Sequence, residues 1–342
     1  MDIIIALLLL GLIIFIHELG HFLAARFFKM PVSEFAIGMG PELYSYYTGK
    51  TLYSIRIIPI GGFVNIDGME VESKVENGFN SKSPFARFVV LFAGVFMNFM
   101  LALLVILGIT FTSGKAIQNT NPIVGNVIKE AKASTVLKEN DIIKEIDGTQ
   151  ITTWSEIGET IAKDSKKRDA LDVVIERDGK TLDVVVPLTK ISEEKPAIMG
   201  IIPEYKFEKY SFREGIKQSF KIFIGVFEDT LGGVKMLVTG KVKAKDISGP
   251  VGIVKVVGDA SKSGSSGILI WLLAILSINV GIFNLLPFPA LDGGRIIFVI
   301  LELIGIKVDK KLEERVHTIG MIMLFGLIIF ATANDIFNIF KF

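Results

Sequence analysis

The sequence predicts a polytopic α-helical membrane protein. It reads as four transmembrane helices, a cytoplasmic membrane-associated β-sheet loop, and a β-rich domain inserted on the opposite side. Three observations predict this. Half of the 342 residues are hydrophobic and 21% are charged, against roughly a quarter charged in a soluble chain, and the mean hydropathy is +0.53. The apolar residues gather in four long runs, and Lys and Arg crowd the two short connections between them.

Ile3 to Ile16 is almost unbroken hydrocarbon, and apolar character continues to Phe28. Phe88 to Phe111 is a second run, and Ile268 to Leu286 a third, followed by a Pro- and Gly-interrupted stretch to about Ile304. Ile319 to Ala333 is the fourth, reaching spanning length with its flanks. About 20 such residues cross a hydrocarbon core as a helix. Met1-Asp2 lacks a positive leader, and a charged cluster follows the first run where a signal peptide has a small-residue cleavage site. The first run is therefore read as a retained span.

Orientation follows from the cations. Arg26, Lys29, Lys50, Arg56, Lys74, Lys82 and Arg87 lie in the first short connection; Arg295, Lys307, Lys310, Lys311 and Arg315 lie in the second. The C-terminus has only Lys341. The positive-inside rule makes both connections cytoplasmic and both termini external, with the long intervening segment outside. The expected segments are 1–28, the first span; 29–86, the cytoplasmic β-loop; 87–112, the second span; and 113–192, the inserted domain. Residues 193–267 form an amphipathic interfacial segment, 268–304 a broken third span, and 305–342 a cytoplasmic turn and the fourth span.

Composition also excludes. A net charge of +1 leaves no basic field for nucleic acid. The absence of Cys removes disulfides, thiolate metal sites and cysteine nucleophiles. Only three His occur.

In the inserted domain, Ile123–Ile128, Leu171–Glu176 and Leu182–Val186 read as strands, with Asp178-Gly179 setting a tight hairpin between the last two. Asp141–Gly148 and a helix over Ser155–Ala162 lie between the first two. Tyr205 to Lys245 reads as an amphipathic helix broken at Gly232-Gly233 and lying in the outer interface. Packing against the external domain is the alternative. A fifth span is opposed by Lys221, Glu228, Asp229 and Lys235, at roughly 2.5–3.5 kcal/mol per central charge.

The chemistry gathers at the end of the first run, in His17-Glu18-Leu19-Gly20-His21. On a helix, His17 and His21 share a face and can hold one metal ion, and Glu18 can serve a water beside it as general base. Water attacks an amide poorly unless a metal such as zinc lowers its pKa, to about 7. Ionisable side chains inside a span are costly and usually functional. A third ligand is required. His317 lies at the mouth of the fourth span and reads as interfacial. Asp292 lies where two Pro and two Gly break the third span, which membranes tolerate only where backbone is buried or lines a wet cavity. Its alternative is a helix-capping role at the surface. At 1.5 Å per residue, His17 lies about 21 Å into the membrane and Asn284 about 24 Å, so four spans let Asp292 meet the histidines.

H-E-L-G-H at 17–21 and N-L-L-P-F-P-A-L-D-G-G-R at 284–295, with the inserted β-domain between them, resemble the site-2 protease family of intramembrane zinc metalloproteases. The bacterial regulator-of-sigma branch is the nearest match. Element order in the inserted domain resembles a circularly permuted PDZ domain, with Asn140-Asp141 where Gly-Asp is usual. The resemblance implies His17, His21 and Asp292 as zinc ligands, Glu18 as catalytic base, and Asn284 in substrate handling. Phe92-Ala93-Gly94-Val95-Phe96-Met97-Asn98-Phe99 is similar to a family signature with Val95 in place of Pro, and Ser248–Ile253 to the S-G-P-V-G-I loop before the third span. Strands at Leu43–Tyr47 and Leu52–Ile58, continuing through Gly61, Gly62 and Phe63, match a membrane-associated sheet that holds substrate by strand addition; an ordinary hairpin is the alternative. The implied partners are the lipid bilayer and transmembrane protein or peptide substrates, such as an anti-sigma factor or a remnant signal peptide. The implied location is the bacterial cytoplasmic membrane, and oligomeric state is left open. A metal permease would need polar positions repeated along several spans, and a membrane-anchored scaffold would have no use for His17, Glu18 and His21.

Overall fold

The computed structural model describes residues 2–69, 75–164, 169–189, 197–242, 249–306 and 308–340. Lys74, Lys245, Ser248, Lys307 and Lys341, used in the sequence reading, lie outside the described residues. The chain forms two compact units, Met1–Thr110 with Phe212–Phe342, and Phe111–Ser211.

In the first unit, α1 (Asp2–Phe27) carries the first apolar run and ends where Lys29 turns left-handed at φ 56°. There Met30 N–H returns to the Ala25 carbonyl and Lys29 N–H to Arg26, closing the open carbonyls of the last turn. β1 (Val32–Tyr47) and β2 (Leu52–Ile66) follow. Residues 34–37 of β1 pair with both 52–55 and 62–65, so the two halves of β2 flank β1 on opposite sides. The chain then enters α2 (Pro84–Ser113).

The second unit has β3 (Lys115–Gln118), β4 (Val124–Val127), β5 (Ile142–Ile146), β6 (Thr149–Gln150), α3 (Trp154–Asp164), β7 (Ala170–Arg177), β8 (Lys180–Pro187), β9 (Ile201–Pro203) and β10 (Tyr205–Glu208). The largest sheet has order β6-β5-β7-β8. Asp178 and Gly179 both take positive φ, the requirement of a type I′ hairpin turn. Asn140 enters the left-handed region at φ 71°, as its place before Asp141 anticipated. Asp141 is fully buried and held by a two-pronged contact from Arg177 at 2.6 and 2.7 Å. Those hydrogen bonds raise the Arg177 pKa above its ordinary value.

Four stretches depart from the sequence reading. The second compact unit runs past residue 192 to Ser211, because β9 and β10 return to pair with β4 and β3. Tyr205–Glu208 is a strand rather than the start of a helix: Tyr and Phe alternate with Lys and Glu, a period of two. The helix proper is α4 (Phe212–Val238), and it continues through Gly232-Gly233. Glycine costs a helix about 1 kcal/mol per residue, and packing outweighs that here. Phe223 and Phe227 contact the Phe99 ring, and Thr230 donates to Asn279. Phe223, Phe227 and Thr230 of α4 thus face α2 and α6, while Phe220, Ile224 and Leu231 stay exposed. Pro250 does not sit in a loop but opens a further helix, α5 (Pro250–Lys262), whose first N–H groups are capped by Asp335.

α6 (Ser266–Leu285), α7 (Asp292–Leu303) and α8 (Lys310–Phe340) complete the first unit. Among the described residues, Ile3–Phe27, Pro84–Ser113, Ser266–Leu285 and Lys311–Phe337 are long and apolar enough to cross a membrane. Little of this apolar surface is covered: in α8 only 11% of the most apolar window is buried. That much exposed hydrocarbon is unfavourable in water and suited to lipid. Where the helices do touch, small residues admit close approach. Gly20 lies against the Ala93 backbone and Gly281 against the Phe99 ring, with no room for a Cβ at either.

Candidate metal centre

His17 and His21 lie one turn apart on α1, both buried at 6% exposure. Asp292 opens α7. His17 Nε2 lies 3.0 Å and His21 Nε2 3.3 Å from Asp292 Oδ2, and the two Nε2 atoms are 3.2 Å apart. Ligand atoms around a tetrahedral zinc with bonds of about 2.0–2.1 Å are roughly 3.3 Å apart. The triangle therefore has the size of one face of such a site. Among the described residues, no other group of three His, Cys, Asp or Glu side chains converges in this way.

The protons argue the same way. His21 Nδ1 lies 2.8 Å from the Val90 carbonyl, which can only accept, so Nδ1–H donates and the Nε2 lone pair faces inward. The Asn98 amide lies 3.3 Å from His17 Nδ1, and its Oδ1 is buried without a partner among the described residues. A half-turn of the amide lets Oδ1 accept Nδ1–H from His17, freeing that Nε2 as well. Asp292 Oδ2 is also buried without a hydrogen bond. Two imidazole lone pairs and a carboxylate oxygen converging in a buried space repel unless a cation lies between them. The donor set fits zinc.

The break between α6 and α7 delivers Asp292 to this point. Gly293 and Gly294 press against the carbonyls of Leu285 and Phe288, where no Cβ fits. The loop turns on Ala290 at φ 79°, a conformation costing a residue with a Cβ about 1–2 kcal/mol.

Glu18 sits between the histidines and the sheet, and its Oε2 accepts a hydrogen bond from Val64 N–H at 3.2 Å. A cavity of about 430 Å³ is lined by His17, Glu18, His21, Phe63, Asn284 and Asp292, among others. Phe63 and Asn284 thus share one space with His17, His21 and Asp292. Gly61 and Gly62 stand outside its lining. Gly61 makes a left-handed turn at φ 83° beside Met39, and a Cβ on Gly62 would sit 2.7 Å from the Ala36 carbonyl oxygen. A Cβ on Gly62 would also come within 3.9 Å of Glu18 Cγ, so this glycine lies beside the cavity wall.

The sheet carries its own ion pair. Burial works against the Glu34 carboxylate, but hydrogen bonds from Arg56 at 2.7 Å and Ser54 at 2.6 Å outweigh it and hold the pKa below the ordinary value.

Two contributors were not legible as such in the sequence. Gly94 faces the histidines across the α1–α2 crossing, where a Cβ would overlap His21 Nε2 and lie 2.9 Å from His17 Cε1. The Val90 carbonyl is backbone and leaves no residue-type signal. Both lie in or beside the Phe92–Phe99 signature, which is the only pointer to them.

The family model described as Peptidase family M50 matches residues 5–327. A Fusobacterium nucleatum protein, named as a zinc metalloprotease by inference, is 48% identical over the full length of both chains. Zinc metalloprotease RasP of Geobacillus kaustophilus is 31% identical over 96% of both, and Regulator of sigma-W protease RasP of Bacillus subtilis 28% identical over 98% of both. The PDZ domain of an SdrC-like protein from Listeria monocytogenes is similar at 23% identity, over 25% of this chain and 90% of that one, with a TM-score of 0.23. From the family match across nearly the whole length and from full-length relatives named for zinc-dependent proteolysis, the chain belongs to peptidase family M50, the site-2 protease family, and is a zinc metalloendopeptidase.

Proposed function

We propose that this membrane metalloprotease is an intramembrane endopeptidase, cutting peptide bonds within or beside single-span substrates such as an anti-sigma factor or a remnant signal peptide. The observation that carries the reading is the placement of the ligand triangle. All three members belong to helices or helix breaks built for hydrocarbon, with Glu18 and a cavity beside them. His17, His21 and Asp292 are the zinc ligands. Bound there, zinc polarises the scissile carbonyl and acidifies water. Glu18 accepts the proton of the attacking water at a carboxylate oxygen and passes it to the leaving amine. Phe63 and Asn284 bound the space that the unwound substrate occupies. The 62–66 half of β2 offers backbone to that segment, because a helical substrate hides its scissile amides until it is opened.

In this reading the N-terminus and the inserted unit face outside, and the sheet lies on the cytoplasmic side. The exposed Leu43, Tyr44, Tyr46 and Tyr47 support contact between sheet and lipid. The inserted unit is read as a PDZ domain that admits only substrates whose ectodomain has been trimmed. The left-handed Asn140 and the Asp178-Gly179 hairpin support that reading.

The test uses purified protein in bilayer discs with a transmembrane peptide. Glu18→Gln is expected to keep its zinc and to lose cleavage by at least about a hundredfold. Undiminished cleavage by Glu18→Gln would sink the mechanism. Deleting residues 115–208, β3 to β10 together, is expected to allow cutting of an untrimmed substrate, and continued rejection counts against gating.

A further inference from the structure

Asp292 reaches the ligand triangle from a loop whose Phe288–Leu291 turn, with Ala290 in its left-handed position, is closed by a hydrogen bond from Leu291 N–H to the Phe288 carbonyl at 3.2 Å. Leu286 to Leu291 connects α6 to α7, and Ala290 within it stands at φ 79° with a Cβ to accommodate. Such a conformation persists only where the surroundings over-determine it. Beyond the turn's own hydrogen bond and the close packing of Gly293 and Gly294, further support comes from α8. His317 Nδ1 accepts a hydrogen bond from Ala290 N–H at 3.0 Å. One turn further, Gly320 packs on Pro289, where a Cβ would lie 2.5 Å from the carbonyl oxygen. The His317 ring is itself held beside Phe298 of α7, with centroids 5.9 Å apart. An imidazole accepting at Nδ1 is unprotonated there and carries its proton on Nε2, so His317 serves the loop as an acceptor and not as a cation.

We propose that His317 is a positioning residue for the metal centre: by accepting the Ala290 N–H it fixes the left-handed turn that aims Asp292 at His17 and His21. This rests on the reading of Asp292 as a ligand. It gives the third histidine a role outside the ligand set, exerted on Ala290, two residues before the carboxylate in the chain. A hydrogen bond of this kind is an outer-shell contact to a ligand segment, and loss of such contacts weakens metal binding by about ten- to hundredfold.

The experiment compares His317→Leu, His317→Asn and His317→Gln with wild type and Asp292→Ala. Zinc affinity is read by chelator competition, and ligand geometry by the visible absorption of the Co²⁺-loaded proteins. Asn places an oxygen where Nδ1 stands, Gln displaces it by one methylene, and Leu removes it. The expected order is near-wild-type affinity and spectrum for Asn, with about ten- to hundredfold weaker binding and an altered Co²⁺ spectrum for Gln and Leu. Should Leu fail to fold, the Asn and Gln pair decides. Equal affinity and spectra for Asn and Gln overturn the proposal. If Asp292→Ala binds zinc as tightly as wild type, the ligand reading itself fails. If only Asp292→Ala weakens, the ligand reading stands and the role of His317 falls.

Discussion

The side-chain amide of Asn98, near the middle of α2, lies 3.3 Å from Nδ1 of His17 on α1. Ser277 of α6 donates to the backbone carbonyl of that same Asn98, so three helices meet at one residue. An orienting partner sets both the ring angle and the tautomer of a metal-binding histidine. Asn98→Leu is expected to weaken zinc binding by about ten- to hundredfold, measured by chelator competition. If Asn98 only packs the helices together, thermal stability falls while zinc affinity stays.

Gly94 tests the steric side of the same site. Gly94→Ala puts a methyl group into His21 Nε2, and rigid helix packing leaves it no way out. Zinc stoichiometry is expected to fall well below one. Gly108→Ala on the same helix meets nothing within 4 Å and should leave zinc content unchanged. Equal zinc content in the two variants would contradict the tight crossing.

Asp141 is fully buried in the second compact unit, and Arg177 is its charge partner. Removing one member of a buried pair costs about 3–5 kcal/mol, because the other charge is left uncompensated. Arg177→Met is expected to fall at the low end, since Arg177 is partly exposed. Faster amide exchange across β5 and β7 would report it, with zinc content at the metal centre unchanged.

Glu34 predicts a pH effect in the sheet. Its pKa is lowered in the folded state, so its ion pair with Arg56 stabilises the sheet above the ordinary carboxylate range. That contribution is lost as pH falls through the depressed value. Amide exchange in β1 and β2 should therefore accelerate on acidification more in wild type than in Glu34→Gln. Identical acid profiles would show that the pair contributes nothing.

The four helices long and apolar enough to cross a membrane, and the side chains that converge among them, were legible because long apolar runs stand out and ionisable residues within them are rare. His17, Glu18 and His21 announce themselves by spacing, and Asp292 by the Pro and Gly around it. The α4 packing was not legible, because Phe223 and Phe227 suit lipid and Phe99 equally well, and periodicity does not say which. The glycine pair at 232–233 suggested a break only in the absence of tertiary contacts. Tyr205–Glu208 was hidden at the seam between a strand-rich and a helix-rich region, four residues being too short for a pattern to stand out. The 32–42 half of β1 went unassigned: Gly38, Gly40 and Pro41 are residue types that weaken a strand pattern, and here they lie within one long strand, Gly38 and Gly40 at positive φ.

The two halves of the metal centre are far apart in the order of synthesis. His17, Glu18 and His21 emerge first, on the leading helix, while Asp292 lies in the last sixth of the chain. Chains are made from the N-terminus at roughly 5–20 residues per second. If Asp292 is the third ligand, a partly made molecule holds a base and two imidazoles but no closed site. The enzyme then stays inert until its third span has entered the membrane, and an unfinished copy cannot cut its neighbours or itself.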